Sequence, residues 1–515
     1  MKILHIKINE IEHRPLMKGM DLYFDEQNAD FINANCFIGI NGSGKSQLLE
    51  TIAEIFLYVD NFYRETNRNL ISIAPILFEI TYSLTINNKI FKVEISQTIK
   101  KGKAPKVTVV DDQGNFVDVL DDDVENYLPQ KVIGYTSGEN ETISNPFHTY
   151  YDHYAGYVAN KALHGLKGKD YEPRFYFMDY NTNLGIAISN LIFDNVQGLN
   201  EITSELKIKK IKSFQIVLQT KQPAAPGVVS YKGETGVALT EELLEWRDFL
   251  KKCATCYDYI EKDEKYIFDF LNIDSTREAI KHYFKTPYKL YTALYKFEIL
   301  NNLIIDKATR AGIRKQRTQR KLSRKMPEVP DKDKVMRYSE LKLELLNDQV
   351  VDYLNLSDGE HQFFNIFGTI IMVNQPNSLF LLDEPETHFN PKWRRLFISK
   401  LKSLTEHRKQ DLFITSHSPF IVSDSKRESV YIFNRVSKDK VEVTNPSQET
   451  FGASFSHILK MAFSMDEINS EEGSNFIEKL LKSNDIQEIE NGIDVIGESA
   501  QLLTLYRRLD MLKKG

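Results

Sequence analysis

Gly39-Ile40-Asn41-Gly42-Ser43-Gly44-Lys45-Ser46 is the stretch from which the rest of the chain can be read. It fits G-x-x-x-x-G-K-[ST] at every fixed position, in the setting that motif requires. Cys36-Phe37-Ile38 before it is a short apolar run of buried-strand type, and Leu48, Leu49, Ile52, Ile55, Phe56 and Val59 after it recur at helical spacing. In a strand-loop-helix unit of this kind, the glycines let successive backbone N–H groups turn inward around phosphate oxygens. The helix N-terminus adds partial positive charge at the same point. Asn41, Gly42, Ser43 and Gly44 form the cradle, Lys45 is expected to reach the β- and γ-phosphates of a nucleotide, and the Ser46 hydroxyl is expected to ligate Mg²⁺.

The chain has 515 residues, a length of about three domains. With 42% hydrophobic and 27% charged residues it has the make-up of an ordinary globular protein. A net charge of −6 argues against coating nucleic acid with the whole surface, so any such binding belongs to a local patch. Three cysteines exclude a disulfide scaffold. The opening Met1-Lys2-Ile3-Leu4-His5-Ile6-Lys7-Ile8 alternates like a strand and lacks the apolar core of a signal peptide. No apolar run reaches ~18 residues, so the expectation is a cytoplasmic protein that does not span a membrane.

Two pairs of extended runs follow the loop's helix. Ile76 to Leu84 and Lys89 to Ile95 flank Asn87-Asn88; Lys106 to Val110 and Phe116 to Leu120 flank Asp112-Gln113-Gly114. They read as hairpins of an antiparallel meander. Val132-Ile133-Gly134-Tyr135 is a short strand ending in the polar loop Thr136-Ser137-Gly138-Glu139-Asn140-Glu141, and further strands are expected at Phe175 to Met178 and Phe214 to Gln219.

From about residue 239 the pattern becomes helical. Leu243, Trp246, Leu250, Cys253, Tyr257 and Ile260 lie on one apolar face, and helical patterns continue to about residue 347. Within that region Lys307 to Lys325 holds nine basic residues and no acid, with Arg310, Arg314, Arg317, Lys321 and Arg324 along one side of a helix. Such a stripe is either a solvated face or a binding surface for a phosphate backbone. Cys253-Ala254-Thr255-Cys256 could supply half of a tetrathiolate zinc site shared by two subunits. Cys253 falls on the apolar stripe, however, and no matching His or Cys pair follows, so core cysteines are expected.

The last third carries three further signals. Leu356-Ser357-Asp358-Gly359-Glu360-His361-Gln362 leads into the apolar run Phe363 to Val373; Ser378-Leu379-Phe380-Leu381-Leu382 is an apolar strand ending in Asp383-Glu384; Leu412-Phe413-Ile414-Thr415-Ser416 is another, ending in His417. Each is weak alone. Their order after the glycine-rich loop is informative.

In that order the chain resembles the ABC-class ATPases, in the branch that holds the SMC-like and RecF-like chromosome and repair ATPases and the related ATPases of bacterial restriction and phage-defence systems. Asp383-Glu384-Pro385-Glu386-Thr387-His388 and Thr415-Ser416-His417-Ser418-Pro419 look like the restriction and phage-defence group, and the layout around Gly134 to Glu141 is similar to restriction-associated members. The resemblance implies an α/β fold: an ABC-type ATPase head made of a P-loop mixed sheet and an antiparallel β-meander, with a helical insertion and a helical C-terminal tail. It divides the chain into an N-terminal lobe (1–238), a helical insertion (239–347), a C-terminal lobe (348–450) and a helical subdomain (451–515).

It also implies roles. Asp383 would hold Mg²⁺ with Ser46, Glu384 would polarise the attacking water, and His417 would contact the γ-phosphate. Ser357 and the Gly359 amide would bind the γ-phosphate of the other subunit's ATP, so the active unit would be a homodimer with ATP sandwiched between heads. Two departures stand out. Asp358 occupies a position where the family has glycine, and no glutamine is placed for the Q-loop: Gln97 lies in a strand, while Glu139 and Asn140 lie in a better loop.

The insertion is too long for a transporter nucleotide domain and too irregular for the coiled coil of a chromosome-organising ATPase. After His417 no grouped carboxylates suggest a nuclease, so an effector is expected on a separate chain. Three functions follow: a hydrolysing ATPase whose dimer closure engages DNA or a partner effector, in phage defence or restriction; a nucleotide-gated scaffold or sensor with little turnover; and a RecF-like or SMC-like repair protein.

Overall fold

The buried runs and alternating runs of the sequence sort into three sheets. The computed structural model describes residues 1–24, 34–64, 73–110, 114–137, 142–193, 196–221, 236–318, 327, 329–406, 408–463 and 470–514. In chain order, β1 (Lys2–Ile11) and β2 (Met20–Tyr23) precede β3 (Ala34–Ile38), whose end turns through Gly39–Gly44 into α1 (Lys45–Tyr63). Then come β4 (Ile76–Ile86), β5 (Lys89–Gln97), β6 (Lys106–Val110), β7 (Phe116–Asp118) and β8 (Lys131–Thr136). The helix α2 (Ser144–Leu163), β9 (Phe175–Met178), α3 (Tyr180–Leu191), α4 (Leu199–Glu205), β10 (Ile208–Gln219) and α5 (Glu241–Cys253) follow. Next are β11 (Cys256–Ile260), β12 (Lys265–Leu271), α6 (Asp274–Phe284), α7 (Pro287–Ile299), α8 (Lys307–Thr318), β13 (Met336–Leu345) and β14 (Val350–Asp352). The remainder of the first unit is α9 (Asp358–Met372), β15 (Ser378–Asp383), α10 (Pro391–Thr405), β16 (Asp411–Thr415), α11 (Pro419–Ser423), β17 (Val430–Ser437) and β18 (Lys440–Thr444).

The central sheet has the order β18-β17-β3-β16-β15-β8-β9. All its neighbours run parallel except the edge pair β17 and β18. Its inner strands β3 and β16 are buried at every residue, as strands covered on both faces must be, which explains their unbroken apolar runs. The second sheet, β2-β1-β4-β5-β6-β7, is antiparallel throughout, and β4 alternates buried with half-buried residues along most of its length. Asn87 and Asn88, at φ 49° and 64°, make the two-residue turn between β4 and β5 that the sequence predicts.

The third sheet, β11-β12-β10-β13-β14, corrects one expectation. The apolar stripe expected to continue as a helix to Ile260 stops at Cys253, and residues 256–260 form an edge strand. Tyr257, Tyr259, Tyr266 and Phe268 also fit a period of two, and aromatic cross-strand pairs between β11 and β12, Tyr257 with Phe268 and Tyr259 with Tyr266, stabilise the hairpin. The stretch 239–347 is therefore mixed, with β11 and β12 between α5 and α6 and β13 after α8. Cys253 is buried, but Cys256 is exposed on that edge strand, against the expectation of two core cysteines. Among the described residues no group of three or more His, Cys, Asp or Glu could hold a metal ion.

The chain divides into two units, 1–452 and 453–515. The second is helical: α12 (Phe455–Phe463), α13 (Glu471–Lys482), α14 (Ile486–Ile493) and α15 (Ala500–Lys514). Ile477, Leu480, Ile489, Ile493, Leu505 and Leu509 form the core of the last three helices. Among the described residues no helix is long and apolar enough to cross a membrane.

Candidate functional site

Four parallel strands end on the same edge of the central sheet: β3, β16, β15 and β8. In open α/β sheets ligands bind at the carboxyl ends of the strands, and here those ends deliver the Gly39–Ser46 loop, His417, Asp383-Glu384 and Thr136.

The loop takes its shape from its glycines. Gly39, Gly42 and Gly44 have φ of 140°, 76° and 101°, values costly for residues with a Cβ. A Cβ on Gly39 would also sit 2.5 Å from the Phe433 carbonyl oxygen, so the loop's first residue must be glycine for β17 to pack beside it. Gly44 is the N-cap of α1. Asn41 and Gly42 are exposed, whereas Ser43 is buried and its hydroxyl has no hydrogen-bond partner among the described residues. Such a buried hydroxyl wants a partner, and a bound anion at the mouth of the loop would provide one.

Lys45 lies back into the loop. Its Nζ donates to the carbonyls of Gly39 (2.9 Å) and Ile40 (3.3 Å) and stands 3.2 Å from His417 Nε2. Burial pulls its ammonium below the ordinary lysine value, while the charges of Glu384 and Asp383 pull it back. Ser46 Oγ donates to Asp383 Oδ1 at 2.7 Å. Two hydroxyls to which the sequence reading gave no role complete that carboxylate: Thr415 Oγ1 donates to the same Oδ1 at 2.6 Å and Thr136 Oγ1 to Oδ2 at 3.1 Å. Their only sequence signal is position, a threonine closing each of two apolar strands whose ends flank that of β15.

Glu384 holds a left-handed backbone, φ 50°, fixed by its N–H, which donates to the backbone oxygen of Thr415 (3.2 Å) and to its hydroxyl (3.0 Å). Its Oε1 is 3.4 Å from His417 Nε2. The hydrogen bond from His417 holds the carboxyl below the usual glutamate range, against the push of burial. His417 Nε2 thus faces both Lys45 and Glu384. One ring nitrogen either accepts a proton or donates one, so the two contacts are alternatives.

The remaining expected residues lie apart from this cluster or beyond description. Ser357 is the exposed N-cap of α9; in a capping box its Oγ donates to Glu360 Oε2 at 2.8 Å and accepts from the Glu360 N–H. Gly359 abuts the turn after β15: a Cβ there would come within 2.7 Å of the His388 carbonyl. Gln97 is buried at the end of β5, its amide donating to the carbonyls of Ile99 and Lys103, while Glu139 and Asn140 lie outside the described residues.

In the basic stripe Arg310 points inward. Its NH1 pairs with buried Asp152 at 3.0 Å and its Nε donates to the Ile305 carbonyl, so this guanidinium is not offered to a partner. The sequence could not reveal this, because Asp152 is 158 residues away. The backbones of Arg314 and Arg317 continue α8, but their side chains, with Lys321 and Arg324, lie outside the described residues.

Part of the chain matches a known family. Residues 254–423 match the family described as "AAA domain, putative AbiEii toxin, Type IV TA system". That segment, about a third of the chain, includes Ser357, Asp383, Glu384 and His417 and begins after the Gly39–Ser46 loop. Over 127 residues the chain is 27% identical to Protein ea59 of Escherichia phage lambda, a match covering 24% of each protein, so the chain spans about a quarter of that relative's length. Among solved structures, it is similar to the SMC head domain from Thermotoga maritima (9% identity, TM-score 0.33, 87% of this chain and 100% of that one). A second is the Pyrococcus furiosus Smc head domain bound to the C-terminal domain of ScpA (12% identity, TM-score 0.32, 86% and 96%).

Proposed function

We propose that the chain binds and hydrolyses ATP as an ABC-class ATPase, pairs with a second copy through ATP held between the heads, and couples that closure to DNA or to a separate effector chain in anti-phage defence or restriction. The observation that carries the reading is the convergence of Ser46, Asp383, Glu384 and His417, from three strand ends, beside a glycine loop that presents Lys45. The resemblance of the motif order and the AAA-domain match over 254–423 support it.

Hydrolysis of a phosphoanhydride asks the protein for charge neutralisation and a positioned water, with little covalent work. The loop amides and Lys45 would receive the β- and γ-phosphate oxygens; moving Nζ from the Gly39 and Ile40 carbonyls to phosphate exchanges neutral acceptors for charged ones. Ser46 and Asp383 form an all-oxygen donor set that suits Mg²⁺, which when bound would offset phosphate charge. Glu384, held ionised, is the group to accept a proton from water. His417, no longer facing the Lys45 ammonium, would keep its Nε2 for Glu384 or for the γ-phosphate. Ser357 and Gly359, exposed or half-exposed at the start of α9, would meet the nucleotide of the second copy.

The test is phosphate release by the purified chain beside Glu384→Gln, with and without double-stranded DNA, with the mass of each recorded in ATP. The expected result is turnover in the first, a loss of about 10²- to 10⁴-fold in the second, and an ATP-dependent dimer of the variant. Equal turnover in both would sink the assignment of Glu384, and a monomer under all conditions would remove the sandwich.

A further inference from the structure

Glu384 and His417 stand on different turns, one after β15 and one after β16. The last ladder pair below them is Asp383 with Thr415. Beyond it, their separation depends on what braces the two turns against each other.

The β15 turn is braced on one side by α9. Gln362 Nε2 donates to the Pro385 carbonyl at 2.7 Å, and Gln362 Oε1 accepts from the His388 N–H at 3.2 Å. On the other side the Ser416 hydroxyl donates to Glu386 Oε1, and the Ser416 oxygen accepts from the Ser418 N–H at 2.8 Å. Ser416 and Ser418 flank His417 in the chain, so the carboxyl of Glu386 holds the bend that carries the imidazole. Glu386 is only 4% exposed, which rules out a surface role for it.

We propose that Glu386 is a positioning residue for the hydrolysis proposed above: through Ser416 it sets where His417 stands relative to Glu384. The role rests on that reading of the site and adds a residue two positions beyond the proposed base. Burial pushes the carboxyl up to about 7, and the nearby Glu384 charge adds to the push. Both its neutral and its ionised forms keep an oxygen that can accept from Ser416, so an amide at this position can do the same.

The test uses the full chain and two readouts. In ¹³C-histidine NMR without nucleotide, the His417 signal is assigned by its loss in His417→Asn. Glu386→Ala should move that signal, whereas Glu386→Gln should leave it near wild type. In steady-state kinetics Glu386→Ala should lower kcat by about 10- to 100-fold with KM for ATP within about twofold, since a small misplacement costs that much. Glu386→Gln should recover to within about threefold of wild type. Should Glu386→Ala fail to fold, Ser416→Ala removes the same bond from the other side and carries the same expectations.

An unmoved His417 signal, a wild-type kcat in the alanine variant, kcat and KM degraded together, or no rescue by glutamine would each overturn the proposal. Absence of turnover in the wild type would overturn the ATPase reading instead, and the histidine signal would still decide the role of Glu386 on its own.

Discussion

The Ser46 hydroxyl donates to Asp383 at 2.7 Å although 337 residues separate them, and Thr415, from the strand between β3 and β15, donates to the same oxygen. A carboxylate that gathers three hydroxyls has two faces of lone pairs held in place. Asp383→Asn keeps one acceptor oxygen and removes the charge. Phosphate release should fall by about 10²- to 10³-fold and its dependence on Mg²⁺ concentration should shift to higher values, with the thermal midpoint little changed. A malachite-green assay across a Mg²⁺ titration measures both.

Gly359 is set by its neighbour rather than by its own φ. A Cβ placed 2.7 Å from the His388 carbonyl must push the β15 turn, which carries Glu384. Gly359→Ala should cost roughly 1–3 kcal/mol of stability. Turnover should fall even in copies that remain folded. Thermal denaturation together with kcat reads the two effects separately, and a variant with both unchanged would show that the turn yields freely.

Arg310 and the rest of the basic stripe call for separate tests. Arg310→Ala removes the 3.0 Å pair with buried Asp152 and the bond to the Ile305 carbonyl, so it should destabilise the fold by about 1–3 kcal/mol, visible in urea unfolding. Reversal of Arg314, Arg317 and Lys321 to Glu tests the rest of the stripe. If the stripe binds DNA, that triple reversal should weaken binding and reduce its salt slope, measured by fluorescence anisotropy at two salt concentrations. Unaltered DNA binding would take the stripe out of the function.

Glu386 predicts a pH effect on stability. Its folded value, about 7, lies above the ordinary 4.5, so between these the folded chain holds a proton that the unfolded chain has released. The stabilisation this gives is full below about 4.5 and is lost as pH rises through 7. Glu386→Gln has no such proton to lose. Its stability relative to wild type should therefore rise by roughly 2 kcal/mol from pH 5 to pH 8, as urea midpoints at the two pH values would register.

Much of the site was legible because its pieces are local patterns: a glycine loop between a strand and a helix, and apolar strands that end in Asp383-Glu384 and in His417. What was not legible is what holds those pieces together. Thr136, Thr415 and Ser416 are unremarkable residues until the ladder sets them beside Asp383 and Glu386. Arg310 reads as one more cation in a basic run, because its partner Asp152 sits on a distant helix. At Tyr257 and Ile260 two periodicities coincide over a few residues, and only cross-strand pairing, which is non-local, decides for the strand.

The position of β3 in its sheet has a consequence for how the chain is made. Both its neighbours, β16 and β17, belong to the last fifth of the sequence. A ribosome that has just finished the glycine loop must add roughly 370 further residues before either flank of that strand exists, a wait of roughly 20 to 75 s at ordinary elongation rates. Until then the loop hangs on an unpaired strand, so a nascent chain cut short before residue 411 contains the whole nucleotide motif and lacks both strands that flank its β3.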